Sequence, residues 1–175
     1  MQLNYIANAS LPSVSGKTIP VIDPSDGQVF DDIQRSNAHD IDTAVRSARE
    51  CLELVWSRFN AAERGRLLMR LSAKVAEHAE ELAQLEQRDC GKPTKQARAD
   101  AAALARYFEF YAGACDKLHG DTIPYLDGYS VMTWREPHGV TGHVIPWNYP
   151  MQIFGRSVGG ALAAGNVCVV KPAED

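Results

Sequence analysis

The most constraining feature of this chain is a strand, a helix and a second strand packed into little sequence. Val140–Ile145 is a short apolar strand, Met151–Ala164 has helical character, and Gly165-Asn166 is a helix stop. Val167-Cys168-Val169-Val170 follows as a continuous apolar run, the pattern of a strand buried on both faces. A helix can join two neighbouring strands in this way only if they run parallel, which makes a βαβ unit. The expected fold class is α/β, with a parallel sheet begun late in the chain.

Topology then decides where chemistry can sit. In an open α/β sheet, ligands bind beyond the carboxyl ends of the strands. The loop Pro146–Pro150 leaves the carboxyl end of the first strand, and Lys171-Pro172-Ala173-Glu174 leaves that of the second. Asn148, Lys171 and Glu174 are therefore expected around one crevice.

The residue types fit a site. Asn148 carries an amide NH2 that can donate to a developing oxyanion. Pro146 and Pro150 restrict their own φ and bias Ile145 and Tyr149 toward extended backbone, so the loop is stiff. Asparagine is also an ordinary turn residue, and the loop alone does not choose between the two roles. A carboxylate at Glu174 can accept both hydroxyls of a ribose with Lys171 in support, or the two can form a surface pair worth little. Gly155, Gly159, Gly160 and Gly165 do not make a G-x-G-x-x-G after a strand, which on its own argues against a nicotinamide cofactor. Gly159 and Gly160 are expected to allow close helix–sheet packing.

Upstream, residues 18–33 place two β-prone runs around Asp23-Pro24-Ser25-Asp26-Gly27, a hairpin signature. The spacing of Asp23, Asp26 and Asp31 does not match an EF-hand loop. Three helices are expected. The first covers 40–57. The second, 61–89, carries Leu67, Leu68, Leu71, Val75, Leu82 and Leu85 as its apolar stripe. The third, 94–118, turns Ala101, Leu104, Ala105, Phe108, Tyr111 and Leu118 inward. Cys90-Gly91-Lys92-Pro93 ends the second helix. Residues 121–137 suggest another hairpin about Asp127-Gly128.

The 175 residues suit one domain or slightly more. A net charge of −4 gives no general attraction to nucleic acid or to an anionic membrane. Arg58, Arg64, Arg66 and Arg70 lie among acidic residues on helical sequence, so a solvated face is expected. Cys51, Cys90, Cys115 and Cys168 show neither metal-ligand nor C-x-x-C spacing, which suits reduced, packed thiols. The first residues lack a basic start and an apolar core, and no apolar run reaches membrane-spanning length. The expectation is a cytoplasmic protein, in which the sequon Asn8-Ala9-Ser10 is accidental.

GVTGHVIPWNYP followed by ALAAGNVCVVKPAED closely resembles the aldehyde dehydrogenase superfamily. Ile22-Asp23-Pro24, Asp89-Cys90-Gly91-Lys92-Pro93, Tyr111-Ala112-Gly113, Gly120-Asp121-Thr122-Ile123-Pro124 and Arg135-Glu136-Pro137-His138-Gly139-Val140 resemble further family segments in the expected order. The resemblance implies the start of that fold: N-terminal helices and hairpins (1–120), a hairpin of the oligomerisation element (121–138), and the first, incomplete βαβ unit of the dinucleotide-binding sheet (139–175). It implies that Asn148 is the oxyanion-hole residue and that Ile145, Pro146 and Trp147 flank NAD. Lys171 and Glu174, with Pro172 and Ala173 between them, would sit at the adenosine ribose. An acid at 174 favours NAD, with NADP possible. Since the family binds its cofactor without G-x-G-x-x-G, the missing fingerprint ceases to be an objection.

Two departures stand out. Where many members carry Trp-Lys, this chain has Arg156 and Ser157. The family's nucleophilic cysteine and general-base glutamate are expected beyond Asp175, and none of the four cysteines here stands in the nucleophile motif. The expected parent is a homodimeric or homotetrameric enzyme oxidising a small-molecule aldehyde. The alternatives are a short non-catalytic binding module and a CoA-acylating relative.

Overall fold

The computed structural model describes residues 1–174. Asp175, which closes the KPAED segment, lies outside the described residues. The chain opens with a hairpin that its sequence does not announce, β1 (Asn4–Ile6) antiparallel to β2 (Ala9–Leu11). Its turn residues Ala7 and Asn8 have φ of 52° and 63°, a geometry that Asn-Gly would normally signal. The expected hairpin about Asp23–Gly27 is present as β3 (Thr18–Ile22) and β4 (Val29–Gln34). The Asp23 carboxylate accepts from the Ser25 amide at 2.9 Å within that turn.

Helix α1 (Ala38–Leu54) starts at a reciprocal cap between Asn37 and Asp40. Asp40 is buried and also accepts from the Ser13 hydroxyl at 2.7 Å, which ties the helix start to the segment after β2. A short 3₁₀ turn, Trp56–Arg58, follows. Asn60 and Glu63 then cap α2 (Ala61–Glu77) in the same reciprocal way.

The single helix expected over 61–89 is two helices. His78 leaves helical geometry at φ −101° and ψ 15°, and α3 (Ala79–Cys90) begins beyond it. Neither Gly nor Pro marks the break. Both pieces pack against α4 (Thr94–Ala114), and the kink lets Leu68 and Val75 of the first and Ala83 of the second reach it. Leu71 and Leu85 fall outside this face and are exposed. Helix α4 ends at Ala114, so Leu118 lies beyond it and is exposed. Gly91 closes α3 at φ 67°, and a Cβ there would stand 2.8 Å from Pro24, so conformation and space both call for glycine.

Strands β5 (Thr122–Ile123) and β6 (Val131–Met132) pair over two residues each, a much shorter ladder than the sequence suggests. The βαβ unit is as expected. β7 (Val140–Val144) runs parallel to β8 (Val167–Lys171), and α5 (Pro150–Ala163) connects them. Val167 is buried, but Cys168, Val169 and Val170 are only partly covered, although α1 and α5 both contact the two strands.

The glycines of α5 serve a different contact from the one expected. They meet helix α4 rather than the sheet: a Cβ on Gly159 would come within 2.7 Å of the Tyr111 ring, and one on Gly155 within 2.9 Å of Leu104. The same helix pair is joined by Phe108 and Phe154, edge to face at 6.1 Å between centroids. Arg64 also departs from expectation. Its guanidinium donates to the carbonyls of Phe59 at 2.9 Å and Ala163 at 3.3 Å, pinning α2 to the end of α5, while Arg58, Arg66 and Arg70 are exposed.

Candidate functional site

Strand β7 and its loop are aligned with β8 to the last residue. Val144 pairs with Lys171, and the Ile145 amide donates to the Lys171 carbonyl at 2.9 Å. Ile145 is buried, whereas Pro146, Trp147, Asn148 and Tyr149 are exposed. The loop therefore leaves the sheet at one buried anchor and stands in solvent until Pro150 starts α5. Pro150 suits that position, because its missing N–H is one that a helix start leaves unbonded. Tyr149 offers no side-chain cap to α5.

On the neighbouring strand, Lys171, Pro172 and Glu174 are exposed and Ala173 is partly covered. The Lys171 ammonium donates to the Glu174 carboxylate. That hydrogen bond holds the carboxyl of Glu174 below the ordinary carboxylate range. Asn148 and the Lys171–Glu174 pair thus share the carboxyl edge of one parallel sheet. Each stands in solvent, so a ligand could reach either.

The two departures at Arg156 and Ser157 have clear surroundings. Arg156 points at the Tyr107 ring, 5.9 Å from its centroid. Ser157 reaches the other way, to His143 of β7, with 2.5 Å between Oγ and Nδ1. His143 Nε2 is 2.9 Å from Thr141 Oγ1, and the Thr141 hydroxyl donates to the Val167 carbonyl at 3.0 Å. Because Thr141 spends its proton on that carbonyl, His143 must donate from Nε2 and accept at Nδ1 from Ser157. The result is a chain of donors with one direction, built around a neutral imidazole.

Burial lowers the pKa of His143 from its ordinary value of 6.5. The unfolded chain would take up a proton near 6.5, and the folded chain resists it. The stability this site contributes is therefore present above that value and lost as pH falls through it. Denaturation midpoints measured at about pH 7.5 and about pH 5.5 should drop with acid, and His143→Gln should make the drop smaller. An equal drop in the variant would remove His143 from the explanation.

Three of the four thiols are held against ionisation. Burial raises the pKa of Cys115 and of Cys168, and it pushes Cys90 up to about 12. A low thiolate fraction makes all three poor nucleophiles.

Sequence reasoning missed the support beneath the loop. The Cys90 thiol donates to the Trp147 carbonyl at 3.0 Å. The Lys92 ammonium stands 4.2 Å from the centroid of the Tyr149 ring. Lys92 in turn bonds two buried carboxylates, Glu86 at 3.1 Å and Asp100 at 2.6 Å. A signal did exist: Ala97, Asp100, Ala101 and Leu104 recur at helical spacing, so an acid occupies the apolar face of α4. Phe154 packs on the core against Phe108.

The chain is similar to known proteins over nearly all its length. The model of the aldehyde dehydrogenase family matches residues 11–175. Hydroxyisobutyraldehyde dehydrogenase of Mycolicibacterium austroafricanum is 45% identical over 173 residues, which is 99% of this chain and 34% of that protein. A crystal structure of a protein assigned as an aldehyde dehydrogenase from Burkholderia cenocepacia superposes with a TM-score of 0.97 at 66% identity. That match covers 98% of this chain and 36% of the other. The structure of PnpE in complex with nicotinamide adenine dinucleotide gives 0.93 at 40% identity, again over 98% of this chain and 36% of the other. The chain thus spans about a third of the length of its relatives.

Proposed function

Because the chain belongs to the aldehyde dehydrogenase family, we propose that it supplies the oxyanion donor and the adenosine-ribose contacts of an NAD-dependent enzyme that oxidises an aldehyde to a carboxylic acid. The observation that carries this reading is the shared sheet edge. Asn148 stands exposed past the end of β7, and the Lys171–Glu174 pair stands exposed past the end of β8. When thiolate attacks an aldehyde, the carbonyl oxygen gains negative charge, and the Asn148 amide can donate to it there.

The residues present fit the cofactor. Glu174 has carboxylate oxygens open to solvent and can accept both ribose hydroxyls, with Lys171 donating alongside. Pro172 and Ala173 carry the chain between them. Ile145 supplies a buried backbone anchor, and Pro146 and Trp147 form an exposed wall next to it. The acid at 174 would repel a 2′-phosphate, which favours NAD over NADP. Held by Lys171 and Glu174 at its ribose, NAD would supply the hydride acceptor for the oxidation.

The nucleophile comes from elsewhere in the whole enzyme, as the suppressed ionisation of Cys90, Cys115 and Cys168 supports. The hairpin region 121–138 serves assembly into a homodimer or homotetramer, supported by its exposed Tyr125, Leu126, Tyr129 and Trp134. Free thiols at all four cysteines suit a reducing compartment, the cytoplasm. No described helix is long and apolar enough to cross a membrane.

The test compares two proteins for NADH formation with a panel of aldehydes. The whole enzyme carrying this segment should reduce NAD, and the 175-residue chain should not. Turnover by the chain alone would place a nucleophile among its own residues and overturn the division of labour.

A further inference from the structure

A buried ionic cluster lies under the Asn148 loop, and the chemistry above makes no use of it. The side chains of Glu86 from α3, Lys92 from the connection between the helices and Asp100 from α4 are 2%, 11% and 0% exposed. Lys92 joins the two carboxylates, and Asp100 also accepts from Gln96 at 2.8 Å. Such a cluster is a weak source of stability, because the cost of desolvating its charges offsets much of their attraction. One of its atoms, Glu86 Oε2, is buried without a hydrogen-bond partner among the described residues.

What the cluster does offer is direction. Asp100 Oδ1 accepts from Gln152 Nε2 at 2.6 Å. Glu86 Oε1 faces the Met151 amide at 3.5 Å. Lys92 sits against the face of Tyr149, and its neighbour Cys90 holds the Trp147 carbonyl. Residues 147, 149, 151 and 152 are all gripped from the segment 86–100, and Asn148 lies between the gripped positions. The two prolines limit the backbone angles of the loop, buried Ile145 anchors its start on β8, and these contacts seat the rest of it on α3 and α4.

We infer that Glu86, Lys92 and Asp100 are positioning residues for Asn148, seating the loop and the first turn of α5 so that the amide keeps one place. This rests on the oxyanion reading of Asn148. A displacement of about 1 Å in such a donor costs on the order of 10²-fold in rate.

The test uses the whole enzyme. Glu86→Ala should lower kcat by about 10- to 100-fold and leave KM for NAD within about twofold. Glu86→Gln keeps an acceptor at Oε1 and should stay within about threefold of the parent. In an Asn148→Ala background, Glu86→Ala should cost little more, because both changes remove one contribution. Full multiplication of the two effects, or an unchanged kcat in Glu86→Ala, overturns the inference. A silent Asn148→Ala sinks the oxyanion reading instead. Hydrogen exchange at the Met151 amide of the chain, which faces Glu86 Oε1, reads the seating directly and should speed up in Glu86→Ala. Unchanged exchange there sinks the inference by itself. If Glu86→Ala does not fold, Gln152→Leu, which leaves Asp100 paired to Lys92 and Gln96, carries the same comparison.

Discussion

Replacing Asn148 by alanine in the whole enzyme is expected to lower kcat by about 10²–10³-fold, equivalent to about 2.7–4 kcal/mol of barrier. The expectation follows from where the amide stands. It is exposed at the carboxyl end of β7, on a loop anchored by buried Ile145 and held from below at Trp147 and Tyr149. A donor held in place needs no reorganisation when charge develops, so its loss falls on the transition state. kcat and kcat/KM should therefore fall together, with little change in KM. Single-turnover measurements would show whether chemistry limits the rate. If chemistry does limit and turnover is unchanged, Asn148 is only a turn residue.

Phe108→Ala should be the most damaging single truncation in the core, at about 3–5 kcal/mol. Phe108 is 1% exposed, and it meets Leu68, Val75, Leu104, Cys115 and Ala163 in one cluster. Its ring also touches Phe154 edge to face, so it joins α2, α4 and α5 at the point where the loop-bearing helix docks. Little can collapse into the space, because Gly159 already lets α5 approach Tyr111 closely. Urea denaturation followed by far-UV circular dichroism measures the loss. Phe110, on the same helix but exposed, is the control, and Phe110→Ala should stay within about 0.5 kcal/mol. Comparable losses in the two variants would mean that the packing is misread.

The βαβ unit was legible because both of its strands are apolar runs bounded by Gly and Pro, and one topology accommodates them. The carboxyl-edge placement of Asn148, Lys171 and Glu174 followed from that alone. The break at His78 was not legible, since the apolar period of the second helix runs through it without a Gly or Pro. The β1–β2 turn was hidden for a related reason: Ala7 and Asn8 adopt positive φ without the glycine that would advertise it. The gripping cluster was obscured by composition. Glu86 and Asp100 fall in helical sequence and Lys92 in the stop between the helices, so nothing joins the three until Asp100 is noticed on the apolar face of α4. The partner of Gly159 was misassigned because a glycine shows that something comes close without showing what.

The pairing of β7 with β8 alone has a practical consequence for handling the chain. Among the described residues, each strand uses one flank for the other and leaves the opposite flank unpaired. Rows of unbonded amide and carbonyl groups act as a template for a further strand, and here they lie beside apolar Val144, which is 77% exposed. Concentration is therefore the variable to control, since light scattering is expected to rise with it as unpaired edges meet.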